Sequence, residues 1–443
     1  MTNFLTCFLG FFCKIFAKYW SNCRPDYSAG KRYGGLAFDF QQETDGACRA
    51  DILNIHQPRN VDLLPAEGTD DAGLPTAGKI FNNLFCNQHS TNMTRLSNFM
   101  TKGLLSAAVL AGVSFQQGDA CTRIIYQGND NLIIIGRSLD WKTPIPTNIY
   151  VYPRGMEKQG SDKPGAVTWK SKYGAVYAVG YDGGVTEGMN EKGLSVNGLF
   201  CKGTVYDNDS TVGRPPMSLA MFPAWLLDMN ATTDEVIKVL EEHNFSLSGA
   251  TFDDGTVSAL HWGITDASGH SAVVEFDHGA IRIYEGTTDM HAMTNDPSWP
   301  QMQAIVNYWE KIGGSHSLPG TVSSPDRCVR ANYFVTHVEK TGDADLGATI
   351  ARSVLFNCCV PYTYTVEGEP NVSSTQWRSF SNLRDLRYYF DLTVANGLYY
   401  VDLNKCDFRP GASVMKIVTA DMLNACGDQT SMLQPVPPFT PMY

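Results

Sequence analysis

The alternation of apolar and polar positions is clearest from residue 121 onward, and there it reads first as strands. Thr122–Tyr126 is β-branched and aromatic, Gly128–Asn131 is turn chemistry, and Leu132–Arg137 is largely apolar. Together they predict a hairpin with Cys121 at its first position. Further strands are predicted at Asn148–Tyr152, Ala166–Lys170 and Ala175–Gly180, and a second hairpin over Thr186–Phe200 turns at Asn190–Gly193. The period then changes. Met217–Met229 is strongly apolar and predicts a helix. Thr232 or Thr233 can cap the helix DEVIKVLEEH, with Asp234 and Glu235 in the favourable first turn. Strands return at Ala259–Thr265, Ser271–Phe276 and Ala280–Glu285. Helices are predicted over Gln301–Ile312, Pro325–Glu339 and Ala344–Val360, and strands at Arg387–Val394 and Leu398–Leu403. Strands, then helices, then strands, joined by antiparallel hairpins and without an internal repeat, predict a layered α+β domain over residues 121–443.

The preceding residues read differently. Residues 93–120, MTRLSNFMTKGLLSAAVLAGVSFQQGDA, open with Arg95 and Lys102 and continue through the largely apolar run Leu104–Phe115. They end with Gly118 and Ala120 at the −3 and −1 positions of a junction before Cys121. Charge, apolar run and small-residue site in that order describe a secretory signal peptide and predict a periplasmic or secreted bacterial protein. A buried internal helix is the alternative. A lipoprotein signal also ends before a cysteine, but it wants an aliphatic residue where Gly118 stands, so no stable membrane anchor is expected. Residues 1–92 show neither helical nor strand periodicity after the apolar opening FLTCFLGFFCKIF. They read as an upstream extension outside the mature protein, with translation starting at Met93 or Met100. A genuine N-terminal segment is the alternative.

Charge and cysteine usage narrow the chemistry. A formal net charge of −11 argues against nucleic acid as a partner. No apolar run reaches the ~18 residues that span a bilayer. Twelve cysteines are scattered without a CxxC pair, so zinc-ribbon and thioredoxin chemistry is not indicated. The cysteines after Cys121 permit disulfides without requiring them, and buried free thiols are the simpler reading. G-x-S-x-G, HExxH and papain-type contexts are missing. His261 and His270 read as ordinary strand histidines rather than metal ligands.

Cleavage after Ala120 would release an α-amino group on the residue that also carries a thiol. A free α-amine titrates near ~7.7–8.0 and a thiol near ~8.5. The amine can therefore serve as general base for its own side chain, and one residue supplies both nucleophile and base.

These residues lie in a block that resembles a known family. CTRIIYQGNDNLIIIGRSLDWKTPIPTNIYVYPRGM, from Cys121 to Met156, resembles the start of mature choloylglycine hydrolases and penicillin V acylases. Those are N-terminal-nucleophile hydrolases with a four-layer αββα fold. The likeness continues, in family order, through EGMNEKGLSVNGLF (Glu187–Phe200), MTNDPSW (Met293–Trp299) and LPGTVSSPDRCVR (Leu318–Arg330). The opening block is most similar to the Gram-negative branch. The resemblance implies that Cys121 is nucleophile and, through its amine, base. It implies that Arg137 in GRSLD is the cation beside the nucleophile and that Asp140 holds the α-amine. Asn295 in MTND would be the side-chain donor to the oxyanion. Arg327 in SSPDR would be a second arginine near the nucleophile, with Arg330 the neighbour that could be confused with it.

One position departs from the family pattern. Bile-salt members have asparagine, and many penicillin V members tyrosine, where NGLF places Phe200. The backbone N–H of Phe200 can still serve the oxyanion, but its side chain cannot donate. This favours an apolar acyl group over a bile salt, with Trp141 as a second pocket aromatic and Tyr150 in the core. The resemblance calls for no cofactor and no metal. It implies a small-molecule amide substrate and a homo-oligomer, a tetramer. The expected reaction is hydrolysis of a linear, non-peptide amide through a thioester acyl-enzyme. Candidate substrates are phenoxyacetyl penicillin, N-acyl homoserine lactones and conjugated bile salts, in that order. The alternative is a catalytically silent binding protein on the same fold.

Overall fold

The computed structural model describes residues 37–42, 48–53, 120–206, 212–249, 257–287, 289–366 and 369–443. The chain divides into two units between Phe99 and Met100. In the first, Ala37–Gln42 and Cys48–Leu53 pair antiparallel. Part of the segment read as lacking strand periodicity is therefore a hairpin, whose two-residue period is short: Phe38 and Phe40 on one strand, Cys48, Ala50 and Ile52 on the other. The signal-like run as far as Asp119 lies outside the described residues.

The second unit is built on two sheets. Strands β1 (Ala120–Gln127) and β2 (Ile133–Trp141) pair antiparallel, with Cys121 opposite Leu139 and Ala120 opposite Asp140. The turn between them puts Asp130 and Asn131 at φ 54° and 58°, the left-handed region that these two residue types tolerate. Strands β3 (Thr147–Tyr152), β4 (Ala175–Gly180), β5 (Gly184–Asn190), β6 (Ser195–Phe200), β7 (Leu260–Thr265), β8 (Ser271–Asp277) and β9 (Ala280–Gly286) make the other sheet. It has nine strands in the order β9–β8–β7–β6–β5–β4–β3, completed by Val414–Ile417 and Gln434–Val436. Strands β10 (Ala292–Met293), β11 (Glu369–Asn382), β12 (Arg387–Leu392) and β13 (Tyr399–Asp402) join β1 and β2 in an eight-stranded sheet ordered β10–β1–β2–β11–β12–β13. Gly427–Asp428 closes that sheet and Tyr364–Val366 pairs on β11.

Helices α1 (Phe222–Met229) and α2 (Thr233–Glu242) cover the nine-stranded sheet. Helices α3 (Trp299–Ile312), α4 (Ser324–His337) and α5 (Ala344–Phe356) belong to the eight-stranded side, where α4 and α5 pack on β1. Side chains alternate across each strand, so a sheet buried on both faces reads as an almost continuous apolar run. Ile125, Ile133, Ile135 and Leu139 pack inward against Ile149, Val151, Val176 and Ala178 of the other sheet. Ile124, Tyr126 and Ile134 pack outward among Val329, Ala331 and Ala348. A third cluster joins Tyr177, Val196, Trp262 and Ile264 to Phe222, Leu226 and Val236. Three apolar seams separate four layers, helix, sheet, sheet, helix, as the resemblance implies.

Three differences from the sequence reading have local causes. The apolar stretch Met217–Met229 becomes helical only at Phe222, because Pro216–Ser218 pairs in parallel with Ser246–Ser248. Helix α3 starts at Trp299 rather than Gln301, with Pro300 in its first turn, where the missing N–H costs nothing. Strand β11, central to the eight-stranded sheet, was not predicted. Its Ser374, Thr375, Arg378, Ser379, Ser381 and Asn382 are all buried, so hydroxyls on both faces hide the period. The seven cysteines from Cys121 onward are free thiols. Among the described residues, no helix is long and apolar enough to cross a membrane.

Candidate active site

The two-residue period of β1 and β2 sorts the site residues onto two faces. Cys121, Leu139 and Trp141 share the seam between the sheets with Ile125. Thr122 and Asp140 take the opposite face, where helix α4 brings Arg327 within reach. Asn295 follows β10 directly and meets Cys121 from the side.

Cys121 is held at every polar atom of its backbone. Its N–H donates to Asn295 Oδ1 at 2.6 Å, and its carbonyl accepts from Arg327 Nη1 at 2.7 Å. The same Arg327 donates to Thr122 Oγ1 at 2.6 Å and to Asn295 Oδ1 at 2.7 Å. Two donors therefore face Asn295 Oδ1, while Asn295 Nδ2 donates to the Phe200 carbonyl at 2.7 Å. The amide can be oriented only one way. Its second Nδ2 hydrogen is not used by that bond. Arg330 instead donates to the carbonyls of Pro319, Thr321 and Asn357, so Arg327 is the arginine that reaches the cysteine.

Arg137 Nη2 lies 3.7 Å from Cys121 Sγ and donates to the Gly198 carbonyl at 2.9 Å. Its guanidinium stacks 4.6 Å from the Trp377 ring centroid, and its Nε and Nη1 have no hydrogen-bond partner among the described residues. A cation with so few acceptors stabilises negative charge on the neighbouring sulfur. The carboxylate of Glu187 lies close to it, with Oε2 3.5 Å from Nε. Glu187 is fully buried and accepts from Tyr388 Oη at 2.7 Å, Asn197 Nδ2 at 3.2 Å and Ser379 Oγ. In the sequence, Glu187 stands only as the first residue of EGMNEKG, with no assigned role. A carboxylate on an otherwise inward-facing strand position was the signal available.

Asp140 is buried, accepts from Ser138 Oγ at 3.1 Å and lies 3.9 Å from Arg327 Nη1. Burial pushes its carboxyl up to about 6, against the pull of Arg327, Thr375, Ser138 and Arg137. Its Oδ1 has no hydrogen-bond partner among the described residues. The residue across the strand from it is Ala120, whose bond to Cys121 is the expected cleavage point.

Beyond the sulfur lies an apolar cavity of about 170 Å³, lined by Cys121 and Arg137 together with Leu139, Trp141, Ile145, Phe200, Leu260 and Met442. Trp141 and Phe200 meet edge to face with ring centroids 5.6 Å apart. Tyr150 lies instead in the core seam beneath the helices of the nine-stranded sheet, as expected. All seven residues singled out in the sequence thus converge on one site: Cys121, Arg137, Asp140, Trp141, Phe200, Asn295 and Arg327.

Two largely antiparallel sheets between helical layers, with a buried cysteine near the start of an inner strand, have the layered architecture of the N-terminal-nucleophile hydrolases. Comparison with known proteins narrows this. The model of the linear amide C–N hydrolases of the choloylglycine hydrolase family matches residues 121–416. The chain is 34% identical over 320 residues to the penicillin V acylase of Pectobacterium atrosepticum, covering 67% of this chain and 85% of that protein. It is 28% identical over 251 residues to a bile salt hydrolase/transferase of Bifidobacterium longum, covering 50% of this chain and 76% of that protein. Among solved structures, penicillin V acylase from Agrobacterium tumefaciens matches with a TM-score of 0.67 at 35% identity, over 73% of this chain and 99% of that one. The chain belongs to the choloylglycine hydrolase family and is a linear amide C–N hydrolase.

Proposed function

We propose that the mature protein begins at Cys121 and hydrolyses a linear amide with an apolar acyl group through a Cys121 thioester. The observation that carries this reading is what surrounds that one residue. Its sulfur sits beside an under-partnered arginine at an apolar cavity, and its backbone nitrogen is held 2.6 Å from Asn295 Oδ1. The proposed export fits the same point in the chain: the signal-like run ends at Ala120, and the family match starts at residue 121.

In the proposed reaction the α-amine takes the thiol proton as Sγ attacks the substrate carbonyl carbon. The resulting oxyanion accepts from Asn295 Nδ2 and from the Phe200 N–H, donors fixed before the charge develops. Collapse breaks the C–N bond, and the leaving amine takes the proton back from the α-ammonium. Water then attacks the thioester, the α-amine again receiving its proton, and releases the acid and free Cys121. Asp140 Oδ1, without a hydrogen-bond partner among the described residues, would accept from the ammonium that cleavage creates. Replacing Asn295 by alanine should lower kcat on the order of 10²–10³-fold, as for other side-chain oxyanion donors. Steady-state kinetics on the processed protein checks this, and full activity would mean that another group holds the oxyanion.

The acyl half of the substrate follows from the cavity. Trp141 and Phe200 wall it, and burying apolar surface contributes about 25 cal/mol per Å². Penicillin V or a long-chain N-acyl homoserine lactone should therefore exceed taurocholate and glycocholate in kcat/KM by at least about tenfold, or ~1.4 kcal/mol. A steroid acid offers the area but needs a wider pocket and polar partners for its hydroxyls. Side-by-side assays at neutral pH under reducing conditions decide the order. Bile-salt cleavage as fast as the others would reverse the ranking without touching the nucleophile.

A further inference from the structure

Asn295 is positioned from two directions. On the α4 side, its N–H donates to Ser324 Oγ at 2.9 Å, and Thr294 Oγ1 bonds the Ser324 carbonyl at 3.0 Å. On the other side, the carbonyl of Thr294 faces His261 Nε2 at 2.7 Å. His261 stands on β7 of the nine-stranded sheet, so this bond crosses from one sheet to the other immediately before Asn295.

The second ring nitrogen of His261, Nδ1, lies 3.3 Å from Glu275 Oε1. That oxygen already accepts from the Trp299 N–H, the first residue of α3, at 2.7 Å. A carbonyl can only accept, and this carboxylate oxygen is already accepting. The His261 ring therefore bridges the Thr294 carbonyl on one side and the Glu275 carboxyl on the other. The pair is buried, with His261 at 2% and Glu275 at 7% exposure, and the Cys201 thiol is packed against it. Although burial alone would drive the imidazolium to lose its proton, Cys201 and Glu275 outweigh it and push the ring up to about 10.

We propose that His261, held between the Thr294 carbonyl and Glu275, is a positioning residue that fixes the Thr294–Asn295 turn so that Asn295 Nδ2 points at the oxyanion. The proposal rests on the reading of Asn295 as oxyanion donor. His261 touches no substrate atom; it acts through the Thr294 carbonyl. Glu275 sets both the ring and the start of α3, so one carboxylate coordinates the two segments that flank the Asn295–Ser298 turn. The sequence treats His261 as an ordinary strand histidine, and only the pairing of the two sheets brings it behind the site.

The test is a double-mutant cycle on the processed protein. His261→Ala should lower kcat by about tenfold to a hundredfold with KM within about twofold, as small misplacements of catalytic groups do. His261→Gln, which keeps a donor for the Thr294 carbonyl, should recover most of that loss. In an Asn295→Ala background, His261→Ala should cost less than about twofold more, because the group it positions is gone. If the two losses multiply instead, His261 does not act through Asn295 and the proposal falls while the oxyanion reading stands. If Asn295→Ala alone costs nothing, the oxyanion reading falls and takes the proposal with it. Should His261→Ala fail to fold, Glu275→Gln keeps an acceptor for the Trp299 N–H, removes the charge that holds the ring, and is expected to show the same non-multiplying loss. A multiplying loss there overturns the proposal equally.

Discussion

Cys121→Ala should have no measurable turnover, a loss on the order of 10⁴-fold or more of the kind seen when a covalent nucleophile is removed. The cavity, Arg137 and the Asn295 amide all remain in this variant, so substrate should still bind and the proposed oxyanion donor should still be in place. What is missing is the atom that forms the thioester, and no neighbouring side chain can replace it. The Cys201 thiol is packed against His261 and Glu275. Cys121 is buried but carries only one sulfur atom, so its loss should leave the fold intact. Cys121→Ser keeps the proton path and supplies a weaker nucleophile; it should retain slow activity, well below the wild type. Two measurements check this: kcat/KM on the preferred amide, and mass spectrometry of the protein during turnover for an acyl adduct. Substantial hydrolysis by Cys121→Ala, or an adduct on any other residue, would remove Cys121 from the mechanism.

Why these residues were legible in the sequence, and others not, follows from how far apart they lie in the chain. Cys121, Arg137, Asp140 and Trp141 occupy one hairpin. Hairpin register is a local property, set by the turn and by the two-residue period, so the pairing that brings them together was legible, while the roles of Arg137 and Asp140 came from the family resemblance. The same period explains why Asp140 ends up on the helix face while Arg137 abuts the sulfur. Asn295 and Arg327 are 174 and 206 residues from Cys121 and reach it only through sheet pairing and α4 packing. No periodicity carries that information, and family resemblance alone brought them in. Glu187 and His261 lacked even that guide: each is a polar residue on an apolar strand, and its role appears only when the two sheets face each other. Strand β11 was missed for a related reason. It lies against β2 in the centre of a sheet, yet it buries serines and an arginine where a central strand ordinarily shows valine and isoleucine.

The uncleaved chain should be inactive, and removal of everything before Cys121 should raise kcat by at least about 10³-fold. The argument turns on one nitrogen. In the uncleaved chain it is an amide, whose lone pair is delocalised into the carbonyl, so it cannot take the thiol proton. Its N–H already donates to Asn295 Oδ1, and cleavage converts the same atom, in the same place, into an amine titrating near ~7.7–8.0. General-base catalysis by a placed group contributes about 10²–10⁴-fold. The change also gives Asp140 Oδ1, buried and without a hydrogen-bond partner among the described residues, a cation to accept from. A protein carrying a specific protease site directly before Cys121 tests this in a single tube: hydrolysis is followed before and after cleavage, and N-terminal sequencing confirms Cys121 as residue one. Acetylating the new α-amine should return the activity to its starting level. Protein exported from cells should likewise begin at Cys121. An uncleaved or acetylated chain as fast as the cleaved one would show that the base lies elsewhere, and among the described residues the group to examine first would then be Asp140, whose carboxyl burial has already brought up to about 6.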